Sequence, residues 1–133
     1  MESRAIPAQD TSSQSAWTLP EELQQLARDG AADVVADVVA VFQEDTAERL
    51  ERLRAAVHNG DCAAVKAEAH AIKGSSSQLG ASAMAKMCFQ MEQMGASGNI
   101  SDAAGVLAQI EQHFVEVAQA MAKLDLGDGS YGG

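Results

Sequence analysis

The sequence predicts an all-α protein, an antiparallel up-down four-helix bundle with a short additional N-terminal helix. Three observations lead there. Alanine is abundant (26 of 133 residues), aromatic residues make up only 4%, and there are two prolines, a composition that favours helices over a β-sandwich or barrel. Apolar residues recur at spacings of three and four along four long stretches, which is the helical period. The links between these stretches are short, about two to five residues, so consecutive helices must reverse direction. A chain of this length forms one domain with one core, without metal or disulfide staples.

Residues 1–17 are polar, Ser-rich and without period, and are expected to form a disordered leader. Thr18-Leu19-Pro20-Glu21 has the Thr-x-x-Glu form of a capping box, with Pro20 in the first turn, and opens a short helix through Leu23 and Leu26 that ends near Asp29-Gly30. The longest helix follows, from about Ala31 to His58, with Val35, Val38, Phe42, Leu50, Leu53 and Val57 as its apolar stripe; it would span roughly 42 Å. Asn59-Gly60 ends it and Asp61 can cap the next. That helix runs from Cys62 to about Leu79, with Val65, Ala69, Ile72, Ser76 and Leu79 facing inward, and Gly80 stops it. Ser82 opens a fourth, with Met84, Met87, Cys88, Met91 and Met94 on one face, closed by Gly95 to Gly98. A fifth begins near Ser101 and carries Leu107, Ile110, Phe114, Val117, Met121 and Leu124. The bundle is expected over residues 18–125, with 126–133 as a flexible, Gly-rich tail.

Charge and cysteine usage exclude several function classes. Nine Lys+Arg against 19 Asp+Glu give a formal charge of −10, which argues against nucleic acid and anionic membranes as partners. No stretch has the length of a membrane span or the apolar core of a signal peptide. Cys62 and Cys88 lack ligand spacing, so neither a disulfide framework nor a metal site is indicated. A di-metal bundle needs Glu-x-x-His pairs, but Ala55, Ala67 and Ile110 stand three residues before His58, His70 and His113. The expected compartment is the reduced cytoplasm.

The informative stretch is Lys66 to Ala81, KAEAHAIKGSSSQLGA. At 3.6 residues per turn, Lys66, His70, Lys73 and Ser77 fall within roughly 60° of one another, away from the inward row. His70 therefore projects outward between two lysines. Gly74 sits mid-helix, where glycine costs about 1 kcal/mol relative to alanine. Side chains lean toward the helix N-terminus, so a residue at 74 overhangs the imidazole at 70; glycine leaves it open to a bulky partner. Ser75 and Ser76 are small enough for close helix packing. An exposed neutral imidazole has a free ring nitrogen near pH 7, and nearby lysines can offset phosphoryl charge. No phosphate-binding loop or Mg²⁺-holding carboxylate cluster accompanies it, so a phosphoryl group would have to come from another protein. His58, in the last turn of its helix, reads as a favourable charge at the dipole's negative end, and His113 as a bundle or surface residue. The Met row reads as core filler, and the acidic run Glu44, Asp45, Glu48 and Glu51 as a solvated face pairing with Arg49, Arg52 and Arg54.

His70-Ala71-Ile72-Lys73-Gly74-Ser75-Ser76, followed by Leu79-Gly80-Ala81, resembles the signature of histidine-containing phosphotransfer (HPt) domains of multistep two-component signalling, and the resemblance extends over about residues 31–124. It implies a four-helix bundle with His70 as phospho-acceptor, Lys73 aiding the phosphoryl group or the docked partner, and Gly74 giving clearance, with Ser75 beside it. Lys66 and Gln78 are further expected contacts; position 78 is often a small residue or Asn in such domains. The implied partners are receiver domains of a hybrid sensor kinase and a response regulator, which supply their own Mg²⁺, so the chain needs no cofactor and acts as a monomeric carrier rather than a turnover enzyme. The alternative is a non-catalytic helical adaptor that binds a signalling partner through the same face without being phosphorylated.

Overall fold

The computed structural model describes residues 17–124; the rest of the predicted leader and the predicted tail lie outside the described residues. Five α-helices follow in order: α1 (Glu21–Leu26), α2 (Ala32–Asn59), α3 (Cys62–Gln78), α4 (Ser82–Ser97) and α5 (Ala103–Ala122). Helices adjacent in sequence pack together, and contact between α2 and α5 closes the four long helices into a bundle. Among the described residues no helix is long and apolar enough to cross a membrane.

The inward row expected for α3 is buried in full, from Val65 through Ala69, Ile72 and Ser76 to Leu79. On α4, Met84, Cys88 and Met91 are buried, whereas Met87 and Met94 pack partly buried against the core. Burial pushes the Cys88 thiol up to about 12, which leaves little thiolate at neutral pH. On α2 the stripe is broader than predicted. Val39, Thr46 and Ala56 are buried, while Val38 and Val57 are only partly so. A helix held between two neighbours turns a wider face inward than a single row of three-four spacings describes.

The N-terminal segment departs most from expectation. The capping box is absent: α1 begins at Glu21, Pro20 is its N-cap, and no side chain caps it. The Pro20 carbonyl instead accepts from the amides of Leu23 and Gln24 at 3.0 and 2.9 Å. Thr18 makes no cap bond to α1, and Trp17 and Leu19 on either side of it are buried. Trp17 therefore belongs to the bundle and not to the leader. Its indole Nε1 donates to the Leu79 carbonyl at 2.6 Å. After α1 the chain makes one π turn over Ala27–Ala31, where Gly30 at φ 103° breaks the helical path before α2.

Trp17 docks at the corner between α3 and α4. There the amides of Gly80 and Ala81 return to Ser77 O at 3.1 Å and Ser76 O at 2.8 Å, the paired bonds of a Schellman stop. Gly80 has φ +75°, and a Cβ on it would stand 3.2 Å from Pro20 Cγ. The corner thus fixes the end of α3, the helix that carries His70.

The expected closure of α4 over Gly95 to Gly98 comes at Gly98, the left-handed C-cap at φ 80°, and Gly95 lies within the last turn of the helix. A Cβ there would be 2.7 Å from Lys66 N and 2.9 Å from Cys62 O, so glycine lets the backbones of α3 and α4 touch. The arginines of α2 also pair differently from expectation. Only Arg49 pairs within the acidic run, with Asp45 at 3.0 Å. Arg49 and Arg52 both reach Glu68 on α3 at 3.1 Å, and Arg54 pairs with Glu111 on α5. The ion pairs therefore tie α2 to its neighbours rather than lying along one solvated face.

Candidate functional site

His70 projects from the middle of α3 with its side chain 67% exposed. Its Nδ1 lies 2.9 Å from Oε2 of Glu92 on α4. Lys73, one turn further along α3, brings Nζ to 2.8 Å from Oε1 of the same carboxylate, and the ammonium also stands 5.0 Å from the centre of the Phe89 ring. Glu92 is thus shared between an imidazole and an ammonium. Its side chain is only 16% exposed. The bond from Lys73, and to a lesser degree that from His70, holds its carboxyl below the usual carboxylate range, against partial burial that works the other way. An ionised carboxylate can only accept hydrogen bonds, so Nδ1 is the protonated nitrogen of the neutral ring and Nε2 carries the lone pair.

The close α3–α4 contact sets this geometry. Gly95 lies one turn beyond Glu92, and the Lys66 backbone it meets lies one turn before His70. Lys66, His70 and Glu92 line one shallow depression with Ala63 and Ala67. Gly74 is exposed, and a Cβ there would meet no atom within 4 Å. A methyl group at 74 would therefore not crowd the imidazole in the free protein, and any clearance it gives is for an incoming molecule.

The other expected site residues lie elsewhere. Gln78 and Ser75 face α2, lining an open groove with Val38, Val41, Phe42 and Asp45, and Gln78 makes no hydrogen bond to His70. The Ser75 hydroxyl donates back to its own helix, to Ile72 O at 3.3 Å and Ala71 O at 3.4 Å. His58 is exposed at the end of α2, and His113 lies beside Glu116 on its own helix at 3.7 Å. Among the described residues no group of three or more His, Cys, Asp or Glu could hold a metal ion.

Glu92 and Phe89 were not anticipated from the sequence. One signal was available. Glu92 is one of only two charged residues in α4, with Lys86, and the positions three and four away on its own helix are Phe89, Gly95, Cys88 and Ala96. A carboxylate at the edge of an apolar row without a partner on its own helix must find one across the interface.

A family model for the Hpt domain matches residues 37–123. The chain belongs to the Hpt domain family. It is 29% identical over 93 residues to histidine-containing phosphotransfer protein 2 of Arabidopsis thaliana, an alignment covering 68% of this chain and 60% of that protein. The Hpt bundle also resembles the crystal structure of histidine-containing phosphotransfer protein B (HptB) from Pseudomonas aeruginosa PAO1. The TM-score is 0.72 at 28% identity, covering 79% of this chain and 91% of the other. The expected all-α bundle and the family are therefore both borne out.

Proposed function

We propose that this Hpt protein is a phosphorelay carrier, working as a monomer in the cytoplasm, that accepts a phosphoryl group on His70 from the phospho-aspartate of one receiver domain and passes it to another. The observation that carries the reading is the exposed imidazole whose Nδ1 lies 2.9 Å from the Glu92 carboxylate, so that in the neutral ring Nε2 carries the lone pair, in a member of this family. In the forward step the Nε2 lone pair attacks phosphorus in line. The N–P bond forms as the P–O bond to the receiver aspartate breaks, and the aspartate carboxylate departs with that electron pair. The ring retains its Nδ1 proton, so positive charge develops on it beside the Glu92 carboxylate, where it is stabilised. Mg²⁺ chemistry belongs to the receiver. Lys66 and Lys73 supply positive charge beside the acceptor, Gly74 and Ser75 leave room for the receiver, and Gln78 contacts it from the groove against α2.

The test is phosphoryl transfer from a phosphorylated receiver domain. His70→Gln abolishes labelling and leaves the helical circular dichroism intact, whereas His58→Gln and His113→Gln label at the wild-type rate. The label is lost in acid and retained in base, as for a phosphoramidate. Labelling of His70→Gln at the wild-type rate would overturn the assignment, and binding of receiver without any labelling would favour the adaptor.

A further inference from the structure

Lys73 is already engaged in the free protein. Its ammonium lies 2.8 Å from Glu92 Oε1 and over the Phe89 ring, on the α4 side of the imidazole. Glu92 divides its two oxygens, Oε2 to His70 and Oε1 to Lys73. A phosphoryl group on Nε2 would add up to two negative charges one helical turn from the same ammonium. Lysine is a compact charge on a flexible stem with three rotatable donors, so Nζ can change partners while the helix stays in place.

We infer that Glu92 is a positioning residue that stores the Lys73 ammonium beside the acceptor and yields it to the phosphoryl group once Nε2 is phosphorylated. The inference rests on His70 being the acceptor. In the transfer already described, Glu92 Oε2 goes on accepting the hydrogen bond from Nδ1–H throughout while Oε1 exchanges Lys73 for water. Breaking the Lys73–Glu92 pair is then part of what phosphorylation costs. Removing the carboxylate's charge lifts that cost only if Lys73 is present.

The experiment is a double-mutant cycle on the transfer equilibrium between a phosphorylated receiver domain and the full chain. The variants are wild type, Glu92→Gln, Lys73→Met and the pair. Glutamine preserves the shape and an acceptor for Nδ1–H, and methionine preserves an unbranched stem. Any direct field of Glu92 on the phosphoryl group or the ring acts in both backgrounds and cancels in the cycle. The change that Glu92→Gln makes in the transfer equilibrium constant should therefore be about threefold more favourable to phosphohistidine in the wild-type background than in the Lys73→Met background, the size expected of one partly exposed ion pair. Lys66 lines the same depression but makes no ion pair with Glu92, so in Lys66→Met the effect of Glu92→Gln stays at its wild-type size. Melting curves confirm that each variant is folded. Equal factors in the two backgrounds, or a larger one in Lys73→Met, overturn the inference and leave the acceptor assignment standing. A wild-type chain that takes no phosphate overturns both.

Discussion

At position 74 a methyl group would meet no atom within 4 Å, and the backbone there is ordinary helix, so nothing in the fold requires glycine. Gly74→Ala should accordingly stabilise the protein by up to about 1 kcal/mol, read as a shift in the urea midpoint. On the proposed reading the requirement lies with the incoming receiver. Gly74→Gln, whose longer side chain leans back over His70, should slow phosphoryl transfer strongly while the protein stays folded. Transfer by Gly74→Gln at the wild-type rate would remove the access argument. His70 and Gly74 were legible from the sequence because both sit against the grain of their helix, a polar ring between two lysines and a helix-weakening residue without a turn. Glu92 was not, because its role depends on α4 lying against α3 at one particular register. Spacing along a single helix says nothing about that register.

That register is set at the level of the helix pair, and Gly95 is the residue that sets it. Gly95→Ala would bring a Cβ to 2.7 Å from Lys66 N and 3.0 Å from Lys66 Cα. These are backbone atoms that cannot rotate away, so the helices must separate. Overpacking of this kind costs about 1–3 kcal/mol, which outweighs the gain in helix propensity. Gly105 on α5 is the matched control, since a Cβ there meets nothing within 4 Å. Gly105→Ala should stabilise by up to about 1 kcal/mol, whereas Gly95→Ala lowers the melting temperature and, by moving Glu92 away from His70 and Lys73, slows transfer as well. Stabilisation by Gly95→Ala as well as by Gly105→Ala would show that Gly95 is no contact point. The glycine was visible in the sequence, but as a helix stop among Gly95 to Gly98, because a glycine near a helix end reads as a terminator until the opposing backbone is known. The apolar rows of α3 and α5 were legible for the opposite reason. Each row of three-four spacings states its own buried face, with no knowledge of what covers it.

For the molecule as a whole, the segment before α1 is structural. Trp17 is buried and donates to the Leu79 carbonyl at 2.6 Å, and Pro20 lies against Gly80, so residues 17–20 cover the corner where α3 turns into α4. The segment's lack of helical period disguised this in the sequence, since a single anchoring indole in a polar stretch leaves no pattern. The bond satisfies a carbonyl that the end of α3 would otherwise leave unpaired away from water. Trp17→Phe keeps most of the apolar burial and strands that carbonyl, at a cost of about 1–3 kcal/mol. Trp17→Ala removes the ring as well and should cost about 3–5 kcal/mol. Trp17 is the protein's one tryptophan, so its fluorescence reports this corner alone, while far-ultraviolet circular dichroism reports the helices. If the segment is part of the same cooperative unit as the bundle, the two signals must follow one urea transition in the wild-type protein. Fluorescence that changes well before the helical signal would mean that the corner opens independently, and Trp17→Ala would then leave the bundle's own transition where it was. A single coincident transition, shifted to lower urea in Trp17→Phe and further in Trp17→Ala, is the expected result. It would make the end of α3, eight residues past His70, dependent on a side chain fifty-three positions before the histidine.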